Sequence, residues 1–223
     1  MSIAHRAPGA KPISAPCGKI PLAPRGGNCA HSRPMPDHFA TLDQPRRPWL
    51  DPEALRECFH RAAAQHHPDA AGGGHERFAA LNAAYATLRE PAPRLRHLME
   101  LAAPALLARP AVIPPALGDL FMQLAARRRA AETFLQKRSA ASSPLARALL
   151  AAEQSALRLD LDSALAQLTT SHDTALAELR ALDTSWPSHT PADLETLATL
   201  QARFAFLAKW TAQLREDLFK LGA

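Results

Sequence analysis

Apolar residues recur three and four positions apart along most of this chain, the spacing that places them on one face of an α-helix. Most of them are Ala and Leu, which favour helices, whereas Val and Ile, which favour strands, are scarce. The pattern therefore predicts an all-α protein. The predicted helical segments are Asp37–Leu42, Asp51–His66, His75–Arg89, Pro93–Leu101, Leu117–Arg138, Pro144–Leu182 and Pro191–Leu221.

The second and third segments form a predicted antiparallel hairpin. Asp51 followed by Pro52 is a typical helix start, with an N-cap Asp and a proline in the first turn. Pro68 ends the second segment, because a proline disfavours helical geometry in the residue before it. Two amphipathic helices joined by a short loop are expected to pack with their apolar faces against each other. The apolar stripes are Leu55, Cys58, Phe59, Ala62 and His66 in one segment and Phe78, Leu81, Tyr85 and Leu88 in the other.

Changes in composition divide the chain into a tail, two helical domains and a linker. Residues 1–36 are rich in Pro, Gly and basic residues without periodicity, which is typical of disorder. Residues 37–103 form the first predicted domain, and residues 104–116, with four prolines, form a linker. Residues 117–223 form a predicted three-helix bundle whose last helix has a coiled-coil-like seam. The seam residues are Leu197, Leu200, Phe204, Leu207, Thr211, Leu214, Leu218 and Leu221.

The net charge of the chain comes from its first residues. The formal net charge is +5, and residues 1–36 carry five basic residues and no acidic one. Residues 37–223 carry 21 residues of each sign. A nucleic-acid-binding fold needs a basic face that displaces counterions, so the neutral remainder indicates no nucleic-acid partner. No apolar run approaches the roughly 20 residues that span a bilayer, so no membrane partner is expected either.

The cysteines and histidines do not predict a metal site. Cys17, Cys29 and Cys58 make no disulfide framework, which fits a reducing compartment. Cys17, Cys29 and His31 offer three ligands where a structural zinc site uses four. The histidines at positions 60, 66, 67 and 75 include neighbours on diverging helix faces. We therefore expect neither a metal nor a cofactor.

Several features together resemble the HscB branch of the J-domain family, the specialised co-chaperones of iron–sulfur cluster biogenesis. The tripeptide His67-Pro68-Asp69 lies between the two hairpin helices and is followed by the run Ala70–Gly74. A short linker and a three-helix bundle with Phe206-Leu207-Ala208-Lys209 near its end also match the branch. The other matching segments are Asp37-His38-Phe39-Ala40-Thr41-Leu42 and Leu81-Asn82-Ala83-Ala84-Tyr85-Ala86-Thr87-Leu88-Arg89-Glu90-Pro91, the latter followed by Arg94, Leu98 and Leu101.

The resemblance implies that residues 37–103 are a J domain, which activates the ATPase of a DnaK- or HscA-type chaperone. Asp69 can pair with an arginine of that partner, Pro68 stiffens the loop that presents it, and His67 supplies a hydrogen-bonding imidazole. The lysine that usually follows the tripeptide is Ala70 here, and the predicted helix before the tripeptide offers only two arginines, which implies weaker or more salt-sensitive docking. The chaperone-binding residues expected from the resemblance are His67, Pro68, Asp69, Arg56, Arg61 and His66.

The resemblance also implies a scaffold-binding surface on the bundle, to which we assign Met122, Phe206 and Trp210. At about 100° per residue, Phe206 and Trp210 fall opposite the seam of the last helix. Large apolar residues off a buried face need another partner, either a neighbouring bundle helix or the scaffold protein. Met122 likewise falls off the predicted buried face of its own helix, which is formed by Leu117, Leu120, Phe121, Leu124 and Leu135.

The chain departs from the branch in the charge of this helix. The branch has an acidic run after its Phe-Leu-Met, whereas Leu120-Phe121-Met122 is followed here by Arg127-Arg128-Arg129. We therefore expect scaffold recognition to differ in charge.

Together, the residue patterns and the resemblance predict an interaction protein and not an enzyme. The predicted function is that of a J-domain co-chaperone, which stimulates ATP hydrolysis by a DnaK/HscA-type chaperone and delivers an iron–sulfur cluster scaffold protein to it. The sequence has no glycine-rich phosphate loop, no catalytic Ser/His/Asp or Cys/His set and no carboxylate pair in a plausible cleft. The alternative is a J protein with an unrelated client, whose bundle serves dimerisation or client docking.

We expect a monomer or weak dimer, cytoplasmic in a bacterial host and mitochondrial in a eukaryotic one. The basic tail is either a targeting segment or sequence ahead of a translation start at Met35.

Overall fold

A computed structural model describes residues 35–67, 74–108 and 115–222. Every regular element in these ranges is helical, so the all-α prediction is confirmed for the described part of the chain. Residues 36–223 form one compact unit. The helices are α1 (His38–Thr41), α2 (Pro52–Gln65), α3 (His75–Arg89), α4 (Pro91–Ala102), α5 (Pro104–Leu107), α6 (Pro115–Ala140), α7 (Pro144–Leu149), α8 (Ala151–Ser185) and α9 (Pro191–Gly222), with a short 3₁₀ turn at Trp186–Ser188.

The stretch predicted as one helix from Pro144 is two helices, because the backbone forms a tighter, 3₁₀-like turn at Leu150. The backbone N–H of Leu150 donates to Arg147 O at 3.1 Å, a bond three residues back where a continuous α-helix bonds four back. The Leu150 side chain is buried in the bundle core. The turn therefore ends α7 and allows α8 to begin at Ala151.

Helices α2 and α3 form the predicted antiparallel hairpin. Asp51 caps α2 by accepting a hydrogen bond from the N–H of Ala54 at 2.9 Å, and Pro52 occupies the first helical position. Phe59 of α2 stacks on Tyr85 of α3 with ring centroids 4.3 Å apart. Leu55 and residues of α3 such as Leu81 are almost fully buried between the helices and their neighbours. Burying such side chains stabilises the hairpin by about 1.5–3 kcal/mol each.

The hairpin region and the C-terminal helices share one hydrophobic core. Helices α1 to α4 contribute one side of this core, and the C-terminal half of α8 with the N-terminal half of α9 contributes the other. The division into domains at residues 104–116 stays a prediction, since this core joins helices from both sides of it. The buried members from α8 and α9 are Ala175, Leu179, Leu182, Leu197, Leu200 and Phe204.

A second core holds α6, α8 and α9 together as a three-helix bundle. Helices α8 and α9 run through both cores, so they connect the hairpin end of the molecule to the bundle end. The largest buried side chains of α6 in this core are Leu124 and Phe134. Their partners on α8 and α9 include Leu161, Leu168, Leu207, Trp210, Leu214 and Leu221.

The loop between α1 and α2 is bonded to the C-terminal end of α8. The carboxylate of Asp183, which is 6% exposed, accepts from Arg47 Nε at 3.2 Å and from the backbone N–H of Trp49 at 3.1 Å. The indole Nε1 of Trp186 donates to Arg46 O at 3.0 Å. These bonds attach residues 46–49 to a helix more than 130 positions away.

A buried arginine closes the same loop from the other side. Arg94 of α4 donates from Nε to Pro48 O at 2.9 Å and from Nη1 to Leu88 O at 2.8 Å. Burial lowers the pKa of Arg94 to about 10, although Glu90 and Asp183 favour its charged form. Arg94 therefore remains charged at neutral pH and satisfies two buried carbonyl oxygens.

Candidate functional site

The C-terminal end of α2 carries the first residue of the tripeptide. His67, the first residue of the tripeptide, is exposed, and its ring meets Phe78 of α3 edge-on with centroids 5.4 Å apart. This contact positions the last described residue of α2's C-terminal turn against the first turn of α3. Pro68 and Asp69 lie outside the described residues, so their assignment stays a prediction.

The basic residues assigned to α2 have carboxylates beside them. Arg56 is exposed and forms an ion pair with Glu53 one turn earlier. Arg61 is also exposed, and Glu57 lies between the two arginines in sequence. His66 is half-buried at the C-terminal end of the helix, where its backbone N–H donates to Ala62 O at 3.1 Å. Two arginines and two glutamates leave α2 without net charge apart from its histidine, and the docking of this helix on a chaperone stays a prediction.

The three residues assigned to scaffold binding differ in exposure. Met122 is 61% exposed, Phe206 is half-buried and Trp210 is only 6% exposed. The prediction that Trp210 lies off the buried face is wrong, because α6 packs against this side of α9 and covers the indole. Phe121 differs in the opposite sense: it was expected on the buried face of α6 and is 43% exposed.

Trp210 connects the exposed aromatic residues of the two helices. Its ring lies 5.3 Å from Phe121, edge-on at 84°, and 6.0 Å from Phe206. The three rings form one cluster, in which Trp210 is the buried member. We define the docking patch as Phe121, Met122 and Phe206. We did not identify Phe121 as a member of this docking patch from the sequence. The available signal was Trp210, an aromatic residue outside the seam of α9, because such a residue needs a packing partner on another helix.

The arginine run of α6 is mostly engaged inside the bundle. Arg127 Nε donates to Asp160 of α8 at 3.0 Å, and Arg128 Nε donates to Asp217 of α9 at 2.7 Å. The hydrogen bond to Asp217 raises the pKa of Arg128, so this guanidinium stays charged. Two of the three arginines therefore tie α6 to its neighbours, and only Arg129 is exposed.

Other large apolar side chains are exposed singly or in pairs along the bundle. Leu145 and Leu149 lie one turn apart on α7, Leu159 lies on α8 and Phe219 lies on α9. Isolated exposed apolar residues are ordinary on protein surfaces.

The described residues contain no group of three or more His, Cys, Asp and Glu side chains placed to hold a metal ion. Cys17, Cys29 and His31 lie outside these residues. Among the helices of the described ranges, none combines the length and hydropathy needed to cross a membrane.

Comparisons with known proteins find similar chains among curated proteins and among solved structures. The J-type co-chaperone JAC1, mitochondrial, of Saccharomyces cerevisiae is 40% identical over 52 residues, which are 23% of this chain and 28% of that protein. The match thus covers less than a third of the curated relative's length. The solved structure of chaperone HscB from Vibrio cholerae aligns with a TM-score of 0.44 and 19% identity over 81% of this chain and 96% of that chain. No family model matches the chain. The resemblance to J-type co-chaperones found in the sequence is confirmed by the first of these matches.

Proposed function

We propose that this protein is an HscB-like J-type co-chaperone, which stimulates ATP hydrolysis by a DnaK- or HscA-type chaperone and delivers an iron–sulfur cluster scaffold protein to it. The observation that carries the proposal is the antiparallel hairpin of α2 and α3, whose connection contains His67-Pro68-Asp69 in the sequence. The similarity to a J-type co-chaperone supports the same assignment.

The tripeptide acts on the chaperone by binding, without chemistry of its own. The Asp69 carboxylate pairs with an arginine of the chaperone through charge-assisted hydrogen bonds. Pro68 restricts the connection and reduces the entropy lost on binding. The His67 imidazole offers a donor and an acceptor to the same surface. Contacts made only with the hydrolysis-competent conformation shift the chaperone population toward it, so the activation is allosteric.

The docking patch binds the scaffold protein. Aromatic side chains around a partly desolvated centre are typical of residues that dominate binding energy at interfaces. Trp210 supports the patch from below and keeps Phe121 and Phe206 in place, so its contribution to binding is indirect.

The two surfaces act together because α8 and α9 belong to both cores. A scaffold bound at the bundle and a chaperone bound at the hairpin are held by one packed unit, so the scaffold is presented in a defined orientation. The protein itself catalyses no reaction in this scheme. We place it in the cytoplasm of a bacterial host, or in the mitochondrion of a eukaryotic one.

The test is single-turnover ATP hydrolysis by the DnaK-type chaperones of the same organism, with and without its cluster scaffold protein. The wild type should accelerate hydrolysis, the scaffold should add to the effect, and Asp69→Asn should abolish the acceleration. Asp162→Asn is the matched control, since Asp162 is an exposed carboxylate on α8. Failure of the wild type to stimulate any chaperone of the organism would refute the co-chaperone assignment. Stimulation without a scaffold effect would favour an unrelated client.

A further inference from the structure

The docking patch has a basic rim, and we propose that it binds a partner surface with an apolar centre flanked by acidic side chains. The inference rests on the proposed scaffold delivery and adds the chemistry by which the scaffold protein is recognised. The rim consists of two cations, Arg129 on α6 and Lys209 on α9.

Both cations lie next to the patch. Arg129 follows Met122 by seven positions, which places it within about 20° of the same line on α6 and about 10 Å along the axis. Lys209 follows Phe206 by three positions, which is about one turn of α9. Both side chains are exposed. The patch therefore has a cation beyond it on each of the two helices that form it.

Neither cation is used inside the described part of the protein. No ion pair of the described residues includes Arg129 or Lys209, whereas the two arginines before Arg129 are each bonded to an aspartate of another helix. A long cationic side chain without a partner is free to pair with a carboxylate of a bound protein. The engaged arginines stabilise the bundle, whereas Arg129 and Lys209, unpaired among the described residues, are left for recognition.

Carboxylates near the patch do not neutralise the rim. Glu132 lies about three turns beyond Met122 and is paired with Arg128 at 3.6 Å. Asp119 lies one turn before Met122, on the side of α6 away from Phe121, the same side on which Arg127 reaches α8. Arg129 and Lys209 thus stand against the exposed Asp119, which leaves the rim a net positive charge that favours an acidic partner.

The combination favours a protein partner over a nucleic acid. Tight binding to nucleic acid rests on many cations that contact successive phosphates, and this rim offers two. The apolar centre supplies most of the affinity in a protein interface, while rim charges change the association rate and its salt dependence.

The experiment measures binding of the cluster scaffold protein of the same organism to the full chain by isothermal titration or biolayer interferometry, at low and at moderately high salt. The test variant is Arg129→Glu with Lys209→Glu. The matched control is Arg77→Glu with Arg215→Glu, which makes the same change in net charge. Both control residues are exposed; Arg77 is on α3, and Arg215 lies nine positions after Phe206, on the opposite side of α9.

The test variant should bind about tenfold more weakly at low salt, because reversal replaces two attractions by two repulsions of ordinary surface size. Its affinity should fall less with rising salt than that of the wild type, because salt also screens the introduced repulsions, while the control should bind like the wild type. Equal binding by the test variant and the control, or tighter binding by the test variant, would overturn the inference.

Phe206→Ala separates this inference from the proposed function. If Phe206→Ala weakens binding and the charge reversal does not, scaffold docking stands and the acidic partner surface is refuted. If the wild type itself does not bind the scaffold protein, scaffold delivery and the acidic partner surface are both refuted, while the chaperone assay still decides the co-chaperone assignment.

Discussion

Replacing Asp183 by Ala should loosen the attachment of the α1–α2 loop to α8. The carboxylate accepts hydrogen bonds from Arg47 and from the backbone N–H of Trp49, and the substitution removes both acceptors. A hydrogen bond to a charged group contributes about 1.5–3 kcal/mol. Arg47 is 42% exposed and is hydrated by water when the carboxylate is lost. The contribution of its ion pair to the free energy of unfolding is therefore closer to that of a surface salt bridge.

The expected loss is therefore about 2–3 kcal/mol in the free energy of unfolding, dominated by the N–H of Trp49 and the partly buried ion pair. For a unit of this size, 1 kcal/mol corresponds to about 2–4 °C in Tm, so Tm should fall by about 5–10 °C. Urea unfolding followed by far-UV circular dichroism gives the free energy directly. Asp173→Ala is the control, because Asp173 is 69% exposed on the same helix and should change stability by less than about 0.5 kcal/mol.

A double-mutant cycle with Arg47→Ala tests the reasoning more strictly. The two substitutions should be non-additive by about 1 kcal/mol, since each removes the same pair. Additive effects, or a loss for Asp183→Ala no larger than that of the control, would show that this contact does not hold the loop to α8.

Two further predictions concern charge and packing. Asp37 caps α1 and bonds to Arg46; burial raises its pKa, but the Arg46 side chain and the N–H groups of the helix start outweigh burial and lower it below 3.8. The stabilisation by the Asp37 carboxylate is therefore present at neutral pH and is lost as the pH falls through the lowered pKa. The difference in unfolding free energy between the wild type and Asp37→Asn should shrink toward zero below pH 3.8. A difference that grows on acidification would contradict this prediction. Trp210→Ala should cost about 3–5 kcal/mol because it opens a cavity under the patch, whereas Met122→Ala should cost less than about 0.5 kcal/mol; comparable losses in urea unfolding would show that the assigned burial of the two side chains is wrong.

The helices themselves follow from local sequence. The third predicted helix has the observed bounds His75–Arg89, and the Asp51 cap with Pro52 starts α2 as expected. Caps, prolines and apolar periodicity act within a few residues, so they can be identified without knowledge of the fold. The seam of α9 was also correct for its buried leucines and Phe204, with Thr211 and Leu218 half-buried.

The chain's amino-acid sequence by itself determined an all-α protein, the hairpin, the start of α2, both ends of α3 and the buried seam of α9. Only the tertiary structure decided that Trp210 is covered while Phe121 is exposed, that Arg127 and Arg128 are engaged while Arg129 is not, and that one core joins the hairpin to the C-terminal helices. Periodicity gives the angle of a side chain around its own helix. Which neighbour lies at that angle depends on how helices distant in sequence cross and pack, and no local pattern contains that information.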